Sequence, residues 1–427
     1  MLSEIYKHKS VAKTLEKGPL APFLEDLLSN FLDKGYSRKI IRARFGVIVK
    51  LSKWLIEHNI ELCNFNEHQF NNFVNYRSKQ TNITQRGEMV TLKALIHLLQ
   101  KNKVIPKPKH ESNYGHKNKK AERILEEFTQ YLKNERGLST STILKYDHYT
   151  RFFLNELFKI TPIKIEKISI GNINDFILKK IDLKNFSFHN TIIDSLRSFF
   201  RFLFIYKKIP TDIASAIPKY PDFKNNRLPY FLTSEELKLL LNTCKGKTDK
   251  QKRDYAILLL LSKLGLRACE IIKLTLDDID WENSEIIING KFNKKNRLPL
   301  LKEIGEALAI YIKKVRPVNS SRQIFFRCRP PIKPFKNSTG ISCMVARALK
   351  AANLKPLKNG SHLLRHTFAT ESLRKGMSLS EIGQILRHEN IDTTAIYAKV
   401  DFNKLQLIAK PWPIGGKKND SFKKACN

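Results

Sequence analysis

Acidic side chains are scarce in this chain. Its 427 residues hold 77 Lys and Arg against 40 Asp and Glu, a formal net charge of +37. Self-repulsion of that size opposes compaction unless a polyanion offsets it. A hydrophobic content of 42% excludes a disordered basic tail and points to a folded protein that lies along nucleic acid. Long apolar runs are missing as well. The longest, Ala256 to Leu261, falls far short of the roughly 20 residues that cross a bilayer. The opening MLSEIYKHKS has no apolar signal core, so the expectation is a soluble, cytoplasmic, nucleoid-associated protein without a membrane partner. Cysteines are few and scattered, at 63, 244, 269, 328, 343 and 426, with no C-x-x-C pair. That excludes a disulfide framework and a cysteine-based zinc site, and Cys269 and Cys343 read as small buried apolar residues. His362 and His366 stand four apart, but in H-L-L-R-H, where the cation of Arg365 opposes a metal. No G-x-x-x-x-G-K-[ST] loop occurs, and no cofactor is expected.

At about 100–200 residues per domain, this length implies two to four domains. Two segments near the N-terminus look alike, FLEDLLSNFLDKGYSRKIIRARFGVIVKLSKWLIEHNI and ILEEFTQYLKNERGLSTSTILKYDHYTRFFLNELFKI. Each opens with an apolar-periodic helix and breaks at a glycine, Gly35 or Gly137. Each resumes after a serine, Ser37 or Ser139, placed to cap the next helix. Further helices are expected around 66–76 and 169–180. Lysine-rich KNKVIPKPKHESNYGHKNKK separates the two as an exposed linker, and the prolines at 210, 218, 221 and 229 mark a second one around 215–230. Thr233 with Glu236 then forms a capping box. Strands are expected over 284–290 and 297–300, joined by a Lys/Asn-rich turn. Three closing helices follow, the first capped by Ser361 and ended by Gly376, and the last, DTTAIYAKV, carrying Tyr397. The fold class expected is mostly α with a small β-hairpin or sheet.

Four blocks then stand in order: LGLRACEIIKLTLDDID, INGKFNKKNRLPL, SHLLRHTFAT and LRHENIDTTAIYAKV. Together they resemble the catalytic domain of the tyrosine recombinases, or phage-type integrases, of Xer-like kind. The resemblance covers roughly 180 residues, and the two N-terminal modules are similar to the helical core-binding domains of that family. It implies a site-specific recombinase that cleaves and rejoins DNA through a 3′-phosphotyrosyl intermediate, without metal or ATP. Its catalytic residues would be Arg267, Lys291, His362, Arg365, His388 and Tyr397. A homotetramer on double-stranded DNA is implied too, with the last two domains clamping the duplex. The domains are expected at 1–105 (an extra helical module), 106–120 (linker), 121–215 (core-binding), 228–412 (catalytic) and 413–427 (tail, with Trp412 as an anchor on a neighbouring subunit or as part of a frayed end).

The chemistry of the residues agrees. Displacement at a phosphodiester gathers charge on non-bridging oxygens, and guanidinium groups remain charged and fork onto paired oxygens. Arg267 and Arg365 fit that role, with Glu270 bracing Arg267. Tyr397 fits a nucleophile, and His362, one turn before Arg365, is the candidate acid/base. His388 is placed to bond a phosphate oxygen or to orient the tyrosine. Lys291 is placed to protonate the leaving 5′-hydroxyl. Two departures stand out: the hairpin reads G-K-F where the family has G-K-G, which makes Lys294 a rival of Lys291, and Arg387 precedes His388 where the family has glycine. An Arg387 guanidinium could sit beside the phosphate or contact DNA. The alternatives are a type IB topoisomerase-like enzyme or hairpin-forming resolvase, and a non-catalytic DNA-binding protein.

Overall fold

The computed structural model describes residues 18–80, 86–106, 119–160, 165–180, 186–218, 229–290, 295–388 and 392–398. The turn with Lys291 and Lys294, most of both linkers, and the tail with Trp412 lie outside them. The chain forms two compact units, one of residues 1–106 with 227–427 and one of 107–226. Among the described residues no helix is long and apolar enough to cross a membrane.

The first unit begins with four helices, α1 (Leu24–Asp33), α2 (Arg38–Glu57), α3 (Glu67–Gln80) and α4 (Arg86–Lys101). Their core holds Phe31, Phe45, Trp54, Phe73 and Leu95. Gly35 ends α1 with φ +77°, a backbone that costs a β-carbon-bearing residue more than glycine. Ser37 sits at the N-cap of α2 in extended conformation, but its side chain makes no capping bond. The second unit repeats the plan with α5 (Lys119–Asn134), α6 (Thr140–Ile160), α7 (Ile170–Lys180) and α8 (Phe186–Ile205). Here the cap is formed, Thr142 N–H donating to Ser139 Oγ at 3.3 Å. Phe128, Phe153, Phe199, Phe200 and Phe202 fill the core in edge and tilted ring contacts.

The C-terminal part of the first unit is built on α10. It follows α9 (Ser234–Asn242), whose Thr233–Glu236 capping box is present. Helix α10 (Asp249–Lys263) is apolar on every side over Ala256–Leu261, all fully buried. A helix of that kind has to be central. After it come α11 (Ala268–Lys273) and an antiparallel sheet of β1 (Ile279–Asp280), β2 (Glu285–Asn289) and β3 (Lys295–Pro299), in the order β1-β2-β3. Ile286 faces Leu298 across β2 and β3, and Ile286 and Ile288 point into the core. The short β1, which pairs Ile279 with Ile286, makes the expected hairpin a three-stranded sheet. Helices α12 (Lys302–Lys314), α13 (Thr339–Ala351), α14 (Ser361–Arg374), α15 (Leu379–Leu386) and the single turn α16 (Asp392–Ala395) complete it.

Three local expectations are corrected. Cys269 and Cys343 are exposed, and among the described residues the buried thiol is Cys244. Gly360, not Ser361, is the N-cap of α14; Ser361 is buried and its hydroxyl lies 3.1 Å from that of Ser342. Tyr397 follows α16 in a turn and is not on a continuing helix; its N–H donates to Thr394 O at 3.0 Å.

Candidate active site

The site forms where two chain reversals meet on a helix, three elements in all. The first is the turn from α10 into α11, held by Gly265 at φ +57°. A β-carbon there would lie 2.6 Å from Leu386 Cδ2 and 2.8 Å from Phe368 Cδ1, so the turn can press against α14 and α15 only as glycine. Arg267 caps α11. Its N–H donates to Glu270 Oε2 at 2.7 Å and its Nη1 to Glu270 Oε1 at 2.9 Å, with its side chain one-third exposed.

The second element is α14. Arg365 is buried, its Nη1 donating to Gly265 O at 2.6 Å and its Nη2 to Leu386 O. Burial, then the neighbouring charge of Arg267, pull its pKa down to about 10, so it stays cationic at neutral pH. The two carbonyls orient the guanidinium as dipoles. His362 lies one turn earlier with an exposed edge; desolvation and the charges of Arg365 and Arg267 lower its pKa.

The third element is the reversal that ends α15. Arg387 takes the left-handed conformation, φ 56° and ψ 49°, and the following amide closes the helix, His388 N–H donating to Gly383 O at 2.9 Å. That geometry explains why glycine is usual there. The Arg387 side chain neither reaches solvent nor faces an open site. It is 7% exposed and its Nη2 donates to Glu270 Oε2 at 2.9 Å. One carboxylate therefore bridges two arginines, and Arg267 Nη2 in turn approaches Arg387 O at 3.4 Å. Burial works to raise the Glu270 pKa, and Arg387 and Arg267 outweigh it, leaving it lowered and the carboxylate ionised.

His388 Nδ1 lies 2.6 Å from Thr394 Oγ1, a buried hydroxyl that fixes the ring. Desolvation and then Arg365, Arg267 and Arg387 push its pKa down to about 4. Tyr397 is 1% exposed, packed with Ala369, Leu373, Ile382 and Leu386. Burial raises its pKa to about 12, against the opposing fields of Arg365 and Arg267. Its hydroxyl lies 2.9 Å from Nδ1 of His366, with ring centroids 5.7 Å apart. Desolvation and the charges of His362, Lys358 and Arg365 bring the His366 pKa down to about 4.

Arg267, His362, Arg365, His388 and Tyr397 are thus linked through shared backbone, shared fields and shared packing. Lys291 lies outside the described residues. Sequence reasoning treated His366 only as an excluded metal ligand, left the place of Arg387 open and did not single out Thr394. Only the H-L-L-R-H and D-T-T stretches hinted at them.

The cluster joins two guanidinium groups, several imidazoles and a phenol, the make-up of a site that binds an oxyanion and carries an oxygen nucleophile. The sequence matches the Phage integrase family model over residues 230–404, and the model described as Phage integrase, N-terminal SAM-like domain, over 125–205. The putative integrase/recombinase y4rA of Sinorhizobium fredii is 32% identical over 397 residues, covering 93% of this chain and 95% of that protein. Tyrosine recombinase XerC of Caldanaerobacter subterraneus is 30% identical over 315 residues, covering 68% of this chain and 87% of that one. Among solved structures, XerH recombinase bound to palindromic difH substrate aligns with TM-score 0.52 at 20% identity, covering 70% of this chain and 90% of that one. A lambda integrase dimer bound to a core site aligns at 0.51 and 18%, covering 70% and 99%. These two likenesses concern the fold. The chain belongs to the phage integrase family of tyrosine recombinases, enzymes of site-specific DNA cleavage and rejoining.

Proposed function

We propose that this chain cuts and reseals duplex DNA at paired sites through Tyr397, with Arg267 and Arg365 on the scissile phosphate. The observation that carries the reading is the tie between the two arginines. Arg365 is held by Gly265 O and Leu386 O, and Arg267 approaches Arg387 O, so both cations rest on the same two turns. Guanidinium groups fixed in advance on backbone dipoles need not reorganise as charge builds on phosphorus.

In the proposed step the Tyr397 oxygen attacks phosphorus, a 3′-phosphotyrosyl bond forms and the 5′-oxygen leaves with a proton. Lys291 is the candidate donor of that proton, with Lys294 its rival. His388 contacts a non-bridging oxygen or orients the tyrosine, and His362, one turn before Arg365, is the acid/base candidate. The phosphodiester energy is kept in the covalent intermediate, so resealing needs no nucleotide. Tyr397 is buried, so attack requires its phenol to be uncovered on the side of the bound phosphate. Partners are double-stranded DNA and, for exchange in pairs, four copies of the chain. The XerH and lambda integrase neighbours, both solved with DNA, support the first of these. A net charge of +37 supports it too, with log K falling by about 0.9 per phosphate neutralised for each log unit of salt.

The test is covalent trapping. The protein is incubated with fragmented DNA of its own replicon and denatured in detergent, and the DNA ends left on the chain are recovered and sequenced. The wild type should yield ends at one site, bonded to residue 397. Tyr397→Phe should bind the same fragments and yield none. An adduct that persists in Tyr397→Phe removes that residue as the nucleophile, and plasmid relaxation without paired sites replaces the recombinase reading with a topoisomerase-like one.

A further inference from the structure

Its spacing from Arg365 makes His362 the acid/base candidate, yet the imidazole that meets the Tyr397 hydroxyl is that of His366. We propose that His366 receives the proton of Tyr397: its Nδ1, 2.9 Å from the phenol oxygen, accepts the hydrogen bond in the resting chain and the proton during attack. The proposal rests on Tyr397 being the nucleophile.

The geometry is specific. His362 and His366 both project from α14, yet the contact to the phenol is made by His366, one turn beyond Arg365. Phenol is a stronger acid than a neutral imidazole N–H, so in this pair the phenol donates and Nδ1 accepts. The second ring nitrogen then carries the hydrogen. His366 also lines an open cavity of about 380 Å³ with Tyr230, Lys358, Asn359 and His362.

The proton balance closes without another reagent. As the Tyr397 O–P bond forms, the phenol oxygen loses its basicity and its proton passes to His366 Nδ1. The P–O5′ bond breaks and the 5′-oxygen takes a proton from the separate acid. On resealing both transfers reverse. The field also runs in the required direction. Burial first, and then the charges of His362, Lys358 and Arg365, oppose a charge on His366. A bound phosphate offsets the Arg365 charge and eases that part of the opposition, so the base strengthens when substrate is present.

The experiment uses full-length protein and a nicked duplex carrying the sequence recovered from the trapped ends, followed in single turnover. His366→Asn keeps an acceptor near Nδ1 but cannot take a proton. It should bind the duplex as the wild type does and cleave on the order of 100-fold more slowly. The wild-type rate should fall toward acid pH, and that fall should be lost in the variant. A duplex whose leaving 5′-oxygen is replaced by sulfur needs no acid, so it should restore Lys291→Ala and leave His366→Asn slow. Added imidazole, entering through the cavity, should raise the rate of His366→Ala. Wild-type rate and pH dependence in His366→Asn would overturn the proposal. So would slow variants that keep the wild-type pH profile and ignore imidazole, which would make His366 a packing residue. A wild-type adduct at a residue other than Tyr397 would instead remove the nucleophile assignment itself.

Discussion

Glu270 holds two arginines apart and together, and its removal is the sharpest probe of the site. The carboxylate is 6% exposed and accepts from the Arg267 side chain and backbone on one side and from Arg387 on the other. In Glu270→Gln the Arg387 guanidinium remains 7% exposed without that carboxylate, and its Nε is already buried with no hydrogen-bond partner among the described residues. Breaking a buried pair by removing one partner costs about 3–5 kcal/mol, because the remaining charge stays out of water. Arg387→Gly is different. It gives up the pair but relieves a left-handed backbone worth roughly 1–2 kcal/mol, and it leaves Glu270 on Arg267, so its net cost should stay under about 2 kcal/mol. Once Arg387 is glycine, Glu270→Gln disturbs only the part-exposed Arg267 pair and should cost about 1 kcal/mol. The double-mutant cycle should therefore return a coupling of about 2 kcal/mol or more. Native-state hydrogen exchange on peptides from α10 reads this in the domain concerned, since its amides between Ala256 and Leu261 lie in the core. A coupling below about 0.5 kcal/mol would refute the bridged arrangement.

Two further outcomes follow from the same geometry. Gly265→Ala places a β-carbon 2.6 Å from Leu386 Cδ2 at a positive φ, so it should destabilise by about 2 kcal/mol and slow cleavage through displacement of the carbonyl that holds Arg365; unchanged melting and cleavage would contradict it. His366 and His388 have folded pKa values of about 4 against an ordinary 6.5, so unfolding takes up protons between those pH values. Stability is then full above pH 6.5 and declines as pH falls toward 4, by at most ~3 kcal/mol for His366 and less for the half-exposed His388, where solvent screens the effect. Urea midpoints at pH 7.5 and pH 5 should differ in that direction, and the difference should shrink in His366→Asn.

Much of this molecule is written in local pattern. Apolar periodicity is enough to place the helices of both N-terminal modules, because each must bury one face. The Thr233–Glu236 box follows from residues three apart, and the β2–β3 pair from alternation. The spaced Arg267, His362, Arg365, His388 and Tyr397 were proposed as one site because their four blocks resemble the tyrosine recombinases and their side-chain types suit a phosphodiester. Contacts between residues far apart in the chain were not legible. That Arg387 turns inward onto Glu270 depends on a left-handed helix end meeting the α10–α11 turn. That the phenol rests on His366 and not on His362 depends on how the segment after α16 packs across α14. Sequence by itself determined which faces have to be buried, since that follows from residue type and period, and it marked out which side chains are candidates for a phosphate. Tertiary structure alone decided which cation meets which carboxylate and which imidazole meets the phenol, since those pairings are set by distances of about 3 Å between elements that no periodicity relates.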